Sequence, residues 1–92
     1  MIQVGSTVRI KSQEEIQSLC VWSDHLLCDP DLPRIDFCRT EDISSGSVKA
    51  EGMEIHCGKT TTIAAEDRDG GFRLAIDDRR HCWSAKWLEE VV

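Results

Sequence analysis

The last third of this 92-residue chain alternates apolar and polar residues in short runs separated by turn residues, and this pattern restricts the fold most. Residues 60–63 form a β-branched run suited to a strand. Phe72, Leu74 and Ile76 then lie on one face of a second strand, because neighbouring side chains of a strand point to opposite faces. Between the two runs, residues 69–71 read Asp-Gly-Gly, which is typical of a hairpin turn. The pattern predicts an antiparallel hairpin with one buried face.

Both ends of the chain supply further strands. Residues 3–11 alternate apolar with polar side chains, and residues 81–84 are suited to another short strand. Ser84 can cap a single helical turn over residues 85–88, after which residues 90–92 form a closing strand. Short strands joined by tight turns are typical of small barrels, since closure removes unpaired strand edges. We therefore expect a mainly β fold with a short inserted helix, namely a small SH3-like barrel.

The inserted helix is predicted from a capping box. Ser12 can accept a hydrogen bond from the backbone N–H of Glu15, whose side chain can reach back to the N–H of Ser12. Ile16 and Leu19 then give an apolar stripe at helical spacing. A short helix over residues 13–20 follows.

The segment from residue 21 to 52 has a weaker pattern and is predicted to be a variable insertion. Residues 29–33 contain both prolines of the chain and are expected to form a loop. Residues 34–38 alternate and are suited to a short strand, whereas residues 44–47 have the serine and glycine content of a loop. Residues 48–57 are compatible with a weak helix.

Length and charge limit the class of protein. Ninety-two residues fit a single domain, 1–92. The chain carries 11 basic and 17 acidic residues, a net charge of −6, which disfavours nucleic-acid binding. Arg79 and Arg80, with Arg73 and Lys86, are the candidate basic patch, but acidic residues are interleaved with them. No apolar run is long enough for a membrane span and no signal peptide is evident, so we expect a cytoplasmic protein without membrane contact.

The number and spacing of the cysteine residues indicate neither a metal site nor a catalytic thiol. Five cysteines form an odd set without a C-x-x-C motif, which favours reduced thiols packed as small hydrophobic side chains. His56-Cys57 and His81-Cys82 are two His-Cys dipeptides that could suggest a zinc site, with Cys20, Cys28 or Cys38 as further ligands. However, His81 and Cys82 are neighbours on a predicted strand and point to opposite faces, so they are poorly placed to bind one zinc ion. Cys57 lies at the C-terminal end of the helix predicted over residues 48–57, where the helix dipole does not stabilise a thiolate. We expect no metal, no cofactor and no enzymatic activity.

The three tryptophans allow two interpretations. Trp83 and Trp87 are four residues apart across a single turn, and either ring can fill the core or form the wall of a partner-binding groove. Trp22 follows the predicted helix and is suited to cover one end of the barrel. Packing in the core is the favoured interpretation for Trp83 and Trp87, with partner binding as the alternative.

Two segments resemble a known group of proteins. Residues 53–63 read M-E-x-x-C-G-K-x-x-T-I, and residues 83–89 read W-S-x-x-W-L-E. This pattern is similar to that of a group of small bacterial and phage proteins with no assigned activity. The resemblance covers about residues 3–16 and 53–90 and implies an SH3-like barrel with an inserted helix. Members tend to have two further aromatic residues where this chain has His81 and Cys82, so an aromatic strip on that strand would be thinner here.

The interpretation favoured by these observations is a non-enzymatic module that binds an unidentified protein or peptide. Two alternatives stay open: a nucleic-acid-associated small barrel, and a thiol- or metal-responsive protein. A weak homodimer is also compatible with the pattern, because an exposed closing strand can pair across a two-fold axis. The candidate partner-binding residues are Trp22, Trp83, Trp87, Arg79 and Arg80.

Overall fold

A computed structural model describes residues 2–23, 26–37, 53–68 and 70–91, and this part of the chain is mainly β. One short helix and three 3-10 turns, at Met53–His56, Ala75–Asp77 and Ala85–Trp87, accompany the strands in these ranges. The strands are β1 (Thr7–Ile10), β2 (Val21–Ser23), β3 (Leu26–Asp29), β4 (Leu32–Phe37), β5 (Thr60–Glu66), β6 (Phe72–Leu74) and β7 (Leu88–Glu90), and the helix is α1 (Gln13–Ser18).

Four strands form an antiparallel sheet in the order β6-β5-β1-β7. The predicted hairpin is its β5–β6 pair, and β1 lies between β5 and β7, with Val8 opposite both Thr61 and Glu90. The sheet is not closed, so the closed barrel that the sequence predicts is not confirmed. The predicted strand at 81–84 is reduced to one bridge, in which Trp83 exchanges backbone hydrogen bonds with Phe72 at 2.7 and 2.8 Å. The adjoining segments coil into 3-10 turns.

The helix begins where the capping box predicts. The Ser12 hydroxyl accepts from the backbone N–H of Glu15 at 3.2 Å and donates to the Glu15 carboxylate at 3.1 Å. The carboxylate is therefore bound by the hydroxyl of the cap residue. The Ile16 side chain packs in the core and is fully buried, whereas Leu19 lies beyond the last helical residue and is exposed.

The first part of the predicted insertion is a second, three-stranded antiparallel sheet in the order β2-β3-β4. The loop predicted at residues 29–33 is shorter than expected, because Asp29 already pairs with Leu32 and Pro33 lies within β4. The register shifts after Cys28, which leaves Pro33 in the irregular part of an edge strand, where a missing N–H is tolerated. The predicted loop at 44–47 lies outside the described residues, and residues 53–56 of the predicted helix form a 3-10 turn.

Both sheets bury side chains in one core. Trp83 and Trp87 are its largest members and are fully buried, with their rings edge to face at 6.3 Å between centroids. Phe37 of the second sheet packs against Trp87 in the same manner at 5.7 Å. The buried apolar residues are Val8, Ile10, Ile16, Leu27, Ile35, Phe37, Met53, Ile63, Leu74, Trp83, Trp87 and Leu88. The second sheet therefore completes the core of the first.

A polar contact fixes the turn of the second sheet to the end of the first. Asp29 is fully buried, and its Oδ1 accepts from the backbone N–H of Asp31 at 2.9 Å. The Lys86 ammonium lies 3.6 Å from that oxygen and is hydrogen-bonded to the Asp31 carboxylate. Lys86 itself is held by Ser84, which caps the Ala85–Trp87 turn by accepting from the Lys86 N–H at 3.3 Å, as the sequence predicts.

Candidate functional site

An open pocket of about 260 Å³ is lined by residues in and beside two 3-10 turns. The turn Met53–His56 supplies Ile55 and His56, and the turn Ala75–Asp77 with the residues after it supplies the other wall. The lining residues are Ile55, His56, Ile76, Asp77, Asp78, Arg80 and His81. Two isoleucines thus line the pocket together with five titratable side chains, and Ile55 is 52% exposed.

Asp77 organises the floor of this pocket. Its Oδ2 accepts from the indole Nε1–H of Trp83 at 3.0 Å, lies 3.0 Å from His81 Nδ1, and accepts from the His81 backbone N–H at 3.2 Å. The side chain of Asp77 is 1% exposed. A buried carboxylate needs such partners, because an unpaired one is costly to desolvate. Asp77 therefore anchors a core tryptophan and positions a surface imidazole at the same time.

Asp77 also has an unfilled acceptor. Its Oδ1 is buried and has no hydrogen-bond partner among the described residues. All the hydrogen bonds that Asp77 receives through its side chain in this part of the chain go to Oδ2. Within the described ranges, one oxygen of this pocket-lining carboxylate is consequently left without a donor.

His56 forms the opposite side of the pocket. Its ring packs edge to face on Trp83, with 6.2 Å between centroids, and the His81 ring does the same at 6.5 Å. Burial lowers the pKa of His56 below its usual value of 6.5, an effect that the charge of Asp77 opposes and that of His81 reinforces. The lowered pKa favours the neutral form of His56 relative to that of a free histidine. Its Nδ1 is buried and has no partner in the described part of the chain.

The backbone beneath the pocket has an unusual conformation. Asp78 and Arg79 both have positive φ angles, 56° and 64°. Residues other than glycine, asparagine and aspartate rarely adopt this backbone region. Arg73 braces this turn, since its Nη1 lies 3.4 Å from the carbonyl oxygens of both Arg79 and Arg80. The same guanidinium donates from Nε to Asp67 at 2.7 Å. These contacts hold Asp77 and His81 in their positions across the turn.

The predicted partner-binding residues differ in their exposure to solvent. The rings of Trp83 and Trp87 are fully buried, as the core interpretation favoured, and offer no surface to a partner in this conformation. Trp22 lies in β2, and its side chain is outside the described set. Arg79 and Arg80 are exposed, and Arg80 lines the pocket. Sequence reasoning missed Asp77 and Ile55 as site residues, and considered His56 and His81 only as metal ligands.

Two of the thiols are poorly ionised. Burial raises the pKa of Cys57 from 9.0 to about 11, and the nearby Glu54 carboxylate adds to the increase. Burial and the charge of Asp29 likewise raise the pKa of Cys20 to about 11, although Trp87 and Lys86 oppose the effect. The thiolate is the reactive form of cysteine, so both groups are chemically quiet at neutral pH.

The Cys57 thiol is expected to be alkylated by iodoacetamide at pH 8 at least about tenfold more slowly in the folded chain than in urea. A pKa increase of two units lowers the thiolate population about 100-fold, and the higher nucleophilicity of a more basic thiolate offsets only part of this. Mass spectrometry of the peptide that carries Cys57 measures the rate at this site alone. The folded-state rate should keep rising towards pH 11, and equal rates in the two states would contradict the prediction.

The described residues contain no group of three or more His, Cys, Asp and Glu side chains that could hold a metal ion. The imidazole–carboxylate pair of His81 and Asp77 resembles one that orients a general base. However, the described residues that line the pocket include no hydroxyl or thiol for such a base to activate. What the arrangement offers is a shaped, partly apolar surface with a fixed carboxylate at its floor.

Comparison with protein-family models, with curated proteins and with solved structures finds no match to this chain. Within the described ranges, no helix combines the length and the apolar character that crossing a membrane requires.

Proposed function

We propose that this chain is a non-enzymatic interaction module that binds a protein or peptide partner at the pocket between His56 and His81. The observation that carries the proposal is the combination of an exposed isoleucine, Ile55, with the buried carboxylate of Asp77, whose Oδ1 has no donor among the described residues. Binding surfaces typically join apolar contacts to a few fixed polar groups, and this pocket has both. Its volume of about 260 Å³ is below the ~300–1,000 Å³ of typical small-molecule sites and suits one side chain of a partner.

The proposal places this site on an SH3-like barrel. Support comes from the order of the paired segments. Trp83 is bridged to Phe72 of β6, and β5, β1 and β7 follow β6 in the sheet. The turn Ala85–Trp87 leads directly from the first of these segments to the last. A short connection between the two outer segments fits a small barrel, in which the outer strands come together and unpaired edges are removed. The pocket lies beside the hydrogen bond from Trp83 to Asp77.

The contacts of two basic residues and the pKa values of two thiols weigh against the alternative functions, nucleic-acid binding and thiol chemistry. Arg73, one of four residues of the predicted basic patch, is engaged by Asp67 and by two backbone carbonyls. Lys86, another of the four, is paired with Asp29 and Asp31. Each phosphate contact needs a basic side chain that is available to it. For thiol chemistry, the raised pKa values of Cys20 and Cys57 are unfavourable.

The proposal is tested with two variants that remove equally exposed apolar side chains. Ile55 lines the pocket and is 52% exposed, whereas Val4 is 53% exposed and is not among its lining residues. Ile55→Ser is expected to weaken partner binding at least about tenfold, as for a side chain central to an interface, while Val4→Ser leaves it unchanged. Quantitative affinity capture with the wild type and both variants identifies proteins that depend on Ile55, and their binding is then measured by calorimetry with purified components. Proteins that bind all three chains equally would refute a role of the pocket.

A further inference from the structure

We propose that the pocket receives a lysine side chain of the partner, with its ammonium group directed to Asp77 and its alkyl chain lying between Ile55 and Ile76. This inference rests on the proposed function and names the chemistry that the site recognises. Three features of the pocket carry it: the unfilled acceptor, the balance of charge and the apolar walls.

The unfilled acceptor calls for a hydrogen-bond donor. Each oxygen of an ionised carboxylate can accept more than one hydrogen bond, and a buried polar atom without a partner is destabilising. Oδ2 of Asp77 is occupied by Trp83 and His81, while Oδ1 has no partner among the described residues. A donor that enters the pocket and reaches Oδ1 would complete the shell of this carboxylate.

The balance of charge favours a cation. In the part of the chain that the structure describes, no lysine or arginine forms an ion pair with Asp77, whose one titratable partner is His81. Asp78 adds a second carboxylate to the lining, and the positive charge of Arg80 offsets one of the two. The net charge of the chain, −6, attracts cationic groups at long range.

The geometry favours an ammonium over a guanidinium. Arginine binds carboxylates best through two parallel hydrogen bonds that use both oxygens. Oδ2 of Asp77 is already engaged by the Trp83 indole and by His81, so a single oxygen remains. The compact ammonium of lysine can use one oxygen, and its four-carbon chain packs on apolar surface while its charge is bound elsewhere. Ile55 and Ile76 both line the pocket and provide such a surface.

The test uses Nα-acetyl-lysine methylamide as the probe, with the norleucine and arginine methylamides as controls. Binding is followed by NMR through the imidazole signals of His56 and His81 and the indole Nε1–H signal of Trp83. The lysine probe is expected to bind about tenfold more tightly than the norleucine probe, which has nearly the same shape and no charge, and more tightly than the arginine probe. Asp77→Asn should reduce lysine binding about tenfold, because the amide keeps an acceptor for Trp83 but loses the charge.

Glu14→Gln is the charge-matched control, since Glu14 is exposed on α1 and remote in sequence from the pocket. Its binding of the lysine probe should stay within about twofold of the wild type, whereas an equal loss in both variants would refute a specific role of Asp77. Equal binding of the lysine and norleucine probes would overturn the lysine assignment and leave the proposed binding pocket intact. Tighter binding of the arginine probe would overturn it as well. If no probe shifts the pocket signals, both the inference and the proposed pocket fail. The comparison of probes needs only the wild-type chain, so it stands even where Asp77→Asn does not fold.

Discussion

Replacing Asp77 with alanine is expected to lower the free energy of unfolding by about 3 kcal/mol, a large part of the stability of so small a domain. The substitution removes the acceptor of the Trp83 indole N–H and of the His81 backbone N–H. Trp83 is fully buried, so water cannot replace the lost carboxylate without entering the core. Urea unfolding followed by circular dichroism measures the change.

A double-mutant cycle tests whether the hydrogen bond to Trp83 is the cause. Trp83→Phe removes the indole donor, so the further loss caused by Asp77→Ala in that background should be smaller by at least about 1 kcal/mol. Asp78→Asn, a change at the exposed neighbouring carboxylate, should alter stability by less than about 0.5 kcal/mol. Additive effects of Asp77→Ala and Trp83→Phe would show that the bond between them contributes little.

Local patterns predicted the parts of the fold whose signals lie within a few residues. The capping box placed the start of α1 at Ser12, and the β-branched run and glycine turn placed the β5–β6 hairpin. Both features depend on residues close together in the chain. Ser84 likewise capped the turn that follows it, because its acceptor role is set by the next two residues.

The strand predicted at residues 34–38 is confirmed within β4, whereas β2 and β3 were not predicted, because their signal is not local. The segment Val21–Asp29 does not alternate apolar with polar residues, and the two prolines that follow favour a loop. The strands of the second sheet are stabilised by burial of Leu27, Ile35 and Phe37 against a core that the rest of the chain supplies. A pattern confined to the segment itself carries no information about that partner surface.

The candidate site was missed for a related reason. His56 and His81 are each followed by a cysteine, which drew attention to metal ligation, and they are far apart in sequence. Asp77 and Asp78 directly follow the second predicted strand, a position in which acidic residues usually lie in solvated turns. Successive positive φ angles at Asp78 and Arg79 turn the chain so that Asp77 points inward while Asp78 stays exposed. The sequence does not predict positive φ angles at these two positions, because neither residue is glycine.

Replacing Gly71 with alanine is expected to destabilise the chain by about 3 kcal/mol for steric reasons alone. A Cβ at this position would lie 2.6 Å from the Cys82 sulfur, 2.7 Å from the carbonyl oxygen of Trp83 and 2.8 Å from the Ile35 side chain. The Trp83 carbonyl cannot move away easily, since it accepts the 2.7 Å hydrogen bond from Phe72 that pairs this segment with β6. The methyl group would therefore separate the bridge from the sheet and push on the second sheet through Ile35.

Gly5→Ala is the matched control for this prediction, because it adds the same methyl group where nothing lies within 4 Å. Gly5 has a φ of +92°, so alanine there should cost about 1 kcal/mol of backbone strain without a clash. Thermal and urea unfolding of the two variants separate the contributions. Equal losses of stability would mean that the contact between Gly71, Trp83 and Ile35 relaxes freely. A larger loss for Gly71→Ala would place a rigid junction of the two sheets at this glycine, directly behind the tryptophan that Asp77 anchors.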